Sequence, residues 1–280
     1  MNPLSGLQNY SNKDSAIIPH AKLEMESLPT PKGEPAKLMY TTGCVTQRNY
    51  IEMKSGQKAS QHHIFGAVVV EIDEEGDWFV RQLHAETETG TFYDLDKKYS
   101  PDGVEGDWGV EAINWGDIHV AKLDSDIAEC SWGYSPDSMV MSLRPEHVFL
   151  HDVYDHASRN HHNIKDPYFM YKMFIEGKES VRDEVKQTAN VISCMLDIVP
   201  HVIIVESNHD LALQRWLKEA DYKKDPVNAE FFLEMQLENY KSMKNGKDLE
   251  TFKTACIKVA PETEEAYFLT TDESYMICGN

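Results

Sequence analysis

The sequence predicts an α/β protein whose second half is built on a parallel sheet. Three short apolar runs, 110–115, 148–150 and 202–205, each lead directly into polar side chains. Runs of β-branched and large apolar residues of this length are typical of strands covered on both faces. A helical pattern lies between the second and third runs, and strands that alternate with helices indicate a parallel sheet.

The first 108 residues have a different composition. The start is rich in Ser, Pro, Asn and Lys, which favours an extended arm. The apolar stretches 65–72 and 78–83 flank an acidic turn and have the pattern of a hairpin, whereas 94–107 has the Gly, Pro and Asp content of a loop. The chain is therefore expected to comprise an extended arm, a small β-rich module and a larger domain, at residues 1–36, 37–108 and 109–280.

The larger domain also has clear helical patterns. Apolar residues recur at steps of three and four from Val181 to Val199, and Pro200 follows directly. This spacing predicts an amphipathic helix over 180–199 that packs on the sheet and ends at the proline. Further helices are expected over 211–217 and 227–243, and closing strands over 267–269 and 275–278.

Composition bounds the location of the protein. No apolar stretch among the 280 residues is long enough to cross a bilayer, and residues 1–13 lack the features of a secretory signal. We expect a cytoplasmic protein. Five widely spaced cysteines without a C-x-x-C pair argue against disulfides and thiolate zinc sites, and small buried apolar residues are expected at Cys44, Cys130, Cys194, Cys256 and Cys278.

Each apolar run ends in residue types that bind metals. The three clusters are Gly116-Asp117-Ile118-His119, His151-Asp152-Val153-Tyr154-Asp155 and Glu206-Ser207-Asn208-His209-Asp210. The carboxyl ends of parallel strands meet at one edge of the sheet, so these clusters are expected to form one site. Carboxylate, imidazole and amide groups bind Mn²⁺, Mg²⁺, Fe²⁺ or Zn²⁺, and two ions need a bridging carboxylate, for which we expect Asp152. Such a site predicts phosphoester hydrolysis, with a nearby imidazole as the acid.

The clusters resemble, in order and in strand context, the G-D-x-H, G-D-x-x-D and G-N-H-D/E motifs of the calcineurin-like metallophosphoesterases. The resemblance implies a four-layer αββα sandwich over 109–280, preceded by the β-rich module, and two divalent ions, with Mn²⁺ preferred. It assigns metal binding to Asp117, His119, Asp152 and Asn208, with Asn208 also touching phosphate, and catalysis to His209, Asp210 and Asp155. In this scheme His209 is the general acid, while Asp155 and Asp210 orient imidazoles.

The chain departs from the family pattern in two ways. His151 and Ser207 stand where the family usually has glycine, and no histidine follows His209, although the family completes its metal shell with later G-H and G-H-x-H motifs. A C-terminal continuation or a partner chain is therefore expected to complete the site. Two alternatives are an inactive fragment of an active enzyme and a non-catalytic DNA-binding or assembly protein.

The substrate is less constrained by the sequence. Stretches 114–121, 158–166 and 205–221 resemble the large early-infection proteins of T5-like bacteriophages, which are implicated in phage DNA transfer and host DNA degradation. That resemblance implies a DNase. From their residue types and their position after the second cluster, Arg159 and His161 are candidate substrate contacts. An ordinary ion pair for Arg159 and a solvated loop position for His161 are the alternatives.

The net charge of the chain argues against a DNA substrate. The chain has 27 Lys and Arg against 47 Asp and Glu, a formal charge of -20, and such a field repels a polyanion. Composition alone favours a phosphomonoesterase that acts on small or protein-borne esters. A DNA substrate requires local compensation by bound cations, a basic patch or the shared groove of a homo-oligomer, and we expect an oligomer.

Overall fold

The computed structural model describes residues 2–279 and confirms the α/β class. The chain divides into two compact units, Met1–Trp108 and Gly109–Asn280. No helix in the described part of the chain is both long and apolar enough to cross a membrane.

The first unit begins with a three-stranded sheet. Its strands are β1 (Ala16–Ile18), β2 (Met25–Leu28) and β3 (Lys37–Thr41), in the order β1-β3-β2. The expectation of an extended arm over 1–36 is therefore wrong. The central strand β3 alternates fully and partly buried residues, so both its edges and one face need cover, which the preceding segment supplies. Leu4, from the same segment, is fully buried.

The predicted hairpin of the first unit is confirmed. It consists of β4 (Gly66–Ile72) and β5 (Trp78–His84), paired antiparallel, and follows helix α1 (Lys54–Gln61). The loop expected over 94–107 is instead mostly sheet, because three short strands alternate there with tight turns. These antiparallel strands are β6 (Phe92–Asp94), β7 (Lys97–Ser100) and β8 (Gly103–Glu105).

The second unit contains a parallel sheet of four strands. They are β9 (Ala112–Trp115), β10 (His147–His151), β11 (His201–Val205) and β12 (Tyr267–Leu269), in the order β12-β11-β10-β9. This confirms four predicted strands, and all four carboxyl ends lie at one edge. Among the described residues of this unit the strands form this single sheet, so the two-sheet sandwich stays a prediction.

The strand expected over 275–278 does not form. Tyr275 attaches to the sheet through its ring instead, with centroid distances of 5.7 Å to Phe149 and 5.4 Å to Tyr267. Met276 is exposed, and Cys278 has a φ of 50°, which is incompatible with a strand. Aromatic side-chain packing replaces backbone pairing here.

The described residues of the second unit form seven α-helices. They are α2 (Ser125–Trp132), α3 (Met139–Leu143), α4 (Pro167–Ile175), α5 (Val181–Ile198), α6 (Leu211–Glu219), α7 (Ala229–Lys244) and α8 (Thr251–Val259). The predictions of α5, α6 and α7 are confirmed. Ser180 caps α5 by accepting a hydrogen bond from the Asp183 amide, and the fully buried Val185, Ala189 and Ile192 join the core.

The cysteines differ from one another in burial. Cys256 is buried in the core, Cys44 and Cys194 are half-buried, and Cys130 and Cys278 are exposed. The expectation of small buried apolar residues is therefore wrong for the two exposed positions. Cys130 lies on the short helix α2, which the sequence analysis did not predict and which buries no residue completely.

Candidate metal centre

The loops after β9 and β10 run side by side beyond the ends of the strands. The amides of Ile118, His119 and Val120 donate to the carbonyls of His151, Asp152 and Val153, at 3.4, 2.9 and 3.1 Å. These bonds lie beyond the last paired strand residues and connect the two polar clusters directly. The first two predicted clusters are therefore held together by the backbone.

Several residues of these loops have backbone angles that disfavour L side chains. Asp117, His119, Asp152 and His156 have φ values of 52°, 45°, 51° and 51°. A non-glycine residue in this left-handed region costs about 1–2 kcal/mol. Such strain collects where the surrounding fold fixes side chains for function. Three of these four residues, Asp117, His119 and Asp152, lie in one group of ligand atoms.

Asp117, His119 and Asp152 form one group of ligand atoms. One oxygen or nitrogen from each lies within 4.8 Å of the others, and His119 Nε2 is 3.6 Å from Asp117 Oδ1. Asp152 is buried, and its Oδ2 lies 2.9 Å from His151 Nδ1. Its Oδ1 is also buried but meets no hydrogen-bond donor within the described residues. A desolvated carboxylate oxygen without a donor fits a bound cation.

A second group shares His119 with the first and adds Asp155 and His209. The rings of His119 and His209 lie 5.0 Å apart, nearly perpendicular, so the third cluster joins the other two. His119 Nδ1 lies 2.9 Å from Asp155 Oδ1, and Lys122 Nζ lies 2.8 Å from the same oxygen. Because Lys122 already balances this carboxylate, Asp155 is better suited to orient His119 than to bind metal. His119 Nε2 then faces Asp117 as the ligand nitrogen.

Asp210 fixes the turn that carries His209. Its Oδ2 accepts hydrogen bonds from the Ser207 amide at 3.0 Å and from Ser207 Oγ at 3.1 Å. Ser207 Oγ in turn accepts a hydrogen bond from the His209 amide at 3.2 Å, so this serine contributes to the turn. Burial raises the pKa of Asp210 to about 7, against the Ser207 hydrogen bonds and with a contribution from the charge of Asp152.

The expected substrate contacts lie elsewhere. Arg159 is buried, and its Nε and Nη2 bind Asp225 Oδ2 and Oδ1 at 2.6 and 2.7 Å. This arrangement corresponds to the ion-pair alternative and leaves no guanidinium face for phosphate. His161 is exposed, with its Nε2 3.1 Å from Arg215 Nη1. Asn208 is exposed in the turn before His209.

Sequence reasoning missed three supporting residues. His151 was considered only as a replacement for glycine, yet it contacts Asp152. Lys122 lies one turn after His119, a spacing that was available in the sequence as a signal. Glu184, buried on α5, accepts from the amides of Ala157 and Ser158 at 2.5 and 3.0 Å and so fixes the segment after Asp155. No sequence signal identified that long-range contact.

Comparison with known proteins relates the chain to a bacteriophage protein. It is 42% identical to Protein A1 of Escherichia phage T5 over an alignment of 287 positions, which takes in 99% of this chain and 51% of the relative. The chain thus spans about half the length of the curated relative it matches. This similarity supports a phage-related role. No family model matches the chain. No solved structure matches it either.

Proposed function

We propose that the unit Gly109–Asn280 is a metallophosphoesterase domain of the αββα class, and that it hydrolyses phosphodiester bonds of DNA in the host cytoplasm. One observation carries the proposal: the ligand atoms of Asp117, His119 and Asp152 converge within 4.8 Å at the carboxyl edge of the parallel sheet. Ligand sites of open α/β sheets lie at this edge.

The residues fit a pair of divalent ions. Asp117, His119 and Asp152 would hold the first ion, and Asn208 would hold the second, which shares Asp152. We place Mn²⁺ first, as the resemblance implies, with Mg²⁺, Fe²⁺ and Zn²⁺ as alternatives, because mixed carboxylate and imidazole ligands do not fix the metal. Asp152 Oδ1 accepts no hydrogen bond from the described residues, so a metal ion that binds this oxygen would displace none. This supports the bridging role of Asp152.

When bound, the ions supply Lewis-acid polarisation of the phosphoryl group and activation of water. The protein residues position the two imidazole rings and protonate the leaving oxygen. The Asp155 carboxylate lies 2.9 Å from His119 Nδ1 and acts on that ring through its charge, without a hydrogen bond to it. The turn fixed by Asp210 places His209 against His119. His209 is the general acid that gives a proton to the leaving oxygen. Lys122 offsets the charge of Asp155, which reduces repulsion of the phosphate.

Sequence similarity and the net charge of the chain favour different substrates. The similarity to a phage protein favours DNA, which the sequence resemblance also implies. The formal charge of -20 favours a phosphomonoester, because a small ester requires no polyanion-binding surface. We place DNA first, since bound cations and an oligomeric groove or a completing C-terminal or partner segment would offset the charge locally.

Hydrolysis of supercoiled plasmid and of p-nitrophenyl phosphate, each with Mn²⁺, Mg²⁺ or EDTA, tests the proposal. Asp152→Ala and His209→Ala are compared with Asp248→Asn, an exposed carboxylate of the same unit. We expect Mn²⁺-dependent plasmid cleavage that both site variants lose and the control keeps. Cleavage of the small ester alone would favour the phosphomonoesterase. Equal activity in all variants would contradict the site. Metal binding without turnover would favour the inactive fragment or the non-catalytic protein over an active enzyme.

A further inference from the structure

Helix α7 carries apolar side chains on two opposite faces. Its inner face contributes Phe231, Phe232 and Met235 to the core of the larger unit. A helix that packs on a core through one face usually presents polar residues to solvent on the other. The outer face of α7 instead exposes a row of large apolar side chains, which we call the α7 stripe: Leu233, Leu237 and Tyr240.

The α7 stripe is continuous along the helix. Its residues recur at steps of four and three, the spacing that places side chains on one line of an α-helix. Leu233, Leu237 and Tyr240 are 48%, 53% and 64% exposed, so each offers on the order of 100 Å² of surface and the stripe roughly 300 Å². A standard interface takes about 800 Å² from each partner, with an apolar centre and a polar rim. The stripe therefore has the size of such a centre.

The two ends of the α7 stripe carry opposite charges. Glu230 lies in the first turn of α7 and Lys244 in the last turn, and both are exposed. Glu234 and Glu238, between them, are paired with basic residues of the same chain. The charges at the ends also suit the helix dipole, but the dipole gives no reason for an exposed apolar row between them. An antiparallel copy of the same helix would set each acidic end against a basic end.

A second copy of this chain fits the α7 stripe better than nucleic acid or a membrane does. Surfaces that bind phosphate backbones are basic, and helices that lie on membranes are rich in Lys and Arg along their polar face. On α7 the acidic residues outnumber the basic ones. In a symmetric dimer the same surface lies on both sides of the two-fold axis, so one apolar row covers the other and opposite charges meet twice.

We propose that the α7 stripe is a homodimer interface, in which the α7 helices of two copies pack antiparallel about a two-fold axis near Leu237. This axis brings Leu233 of one copy close to Tyr240 of the other, and Glu230 close to Lys244. Each of these contacts occurs twice, so a single substitution removes two of them. The interface contains no residue of the candidate metal centre, and the proposal is independent of the proposed function.

Sedimentation equilibrium of the full chain in EDTA tests the proposal over a concentration series from micromolar to submillimolar. We expect the mass to rise toward twice that of one chain. Tyr240→Ser should weaken dimerisation by about tenfold or more, because two apolar contacts are lost. Tyr171→Ser is the matched control: Tyr171, on α4, is also 64% exposed, and its replacement should leave dimerisation unchanged. Both side chains are exposed in the single chain, so neither change should unfold it.

Charge exchange tests the antiparallel arrangement. Glu230→Lys and Lys244→Glu each place like charges together and should weaken dimerisation by about threefold or more. The double variant Glu230→Lys/Lys244→Glu restores opposite charges and should recover it. Because Glu230 also lies 3.4 Å from Arg182 Nη2 within the chain, this recovery is the decisive comparison.

Three results would overturn the proposal. The first is the mass of a single chain at every concentration. The second is an equal effect of Tyr240→Ser and Tyr171→Ser on dimerisation. The third is a double variant that dimerises no better than either single charge variant.

Discussion

Replacement of Asp225 by Asn is expected to destabilise the larger unit by about 3 kcal/mol, because it leaves the buried Arg159 charge without its partner. The Arg159 side chain is 4% exposed, and two of its nitrogens bind the two Asp225 oxygens. An asparagine at this position keeps one acceptor and no charge. The double variant Arg159→Met/Asp225→Asn should recover most of the loss, since an apolar side chain needs no counter-ion.

The free energy of unfolding is measured by hydrogen exchange of the α5 amides across a urea series. Because α5 belongs to the larger unit, these amides report on that unit alone. Glu176→Gln is the matched control, because the Lys172–Glu176 pair on α4 has side-chain exposures of 67% and 35% and should cost no more than about 0.5 kcal/mol. A loss in Asp225→Asn as small as in the control would refute the reasoning. Arg159 would then again be a candidate substrate contact.

The same pair predicts a pH dependence of stability. Burial raises the pKa of Asp225, but the hydrogen bonds and charge of Arg159, with the Asn228 hydrogen bonds, outweigh burial and hold it below the ordinary 3.8. A carboxyl with a lowered folded-state pKa contributes stability above its unfolded pKa and loses it as the pH falls through the folded value. The stability difference between the unaltered chain and Asp225→Asn should therefore be constant near neutral pH and shrink below 3.8.

Two further predictions concern the metal centre. Asp155→Asn should weaken Mn²⁺ binding about 10–100-fold, measured by titration calorimetry, because His119 loses the carboxylate that orients it; unchanged affinity would remove Asp155 from the supporting shell. Ser207→Ala should cost about 1–2 kcal/mol, seen as a melting temperature about 2–8 °C lower in the absence of metal, because Asp210 loses a hydrogen-bond donor; a melting temperature equal to that of the unaltered chain would contradict the role given to this hydroxyl.

The position of the candidate site followed from the sequence because strand ends are local features. The apolar runs before Asp117, Asp152 and Asn208 identified three parallel strands, and parallel strands place their carboxyl ends together. The contact between His119 and His209 is a consequence of that topology. The supporting contact of Glu184 with the segment after Asp155 depends on how α5 packs, and no local pattern specifies it.

Where the sequence misled, composition or pattern was outweighed by tertiary contacts. The polar segment 1–36 forms strands because β3 presents edges and a face that require cover. The apolar segment 275–278 remains outside the sheet because its tyrosine packs by ring contacts. Arg159 had the residue type of a phosphate contact, but its long-range partner Asp225 was visible only in three dimensions.

The most direct test of the account is a crystal structure of the full chain grown with Mn²⁺, with anomalous diffraction collected at the manganese edge. We predict a peak bounded by Asp117, His119 and Asp152, which Asp152→Asn abolishes and Asp248→Asn retains. A manganese peak away from these residues, or a peak that persists in Asp152→Asn, would contradict the central claim that the three strand ends build a divalent-metal site.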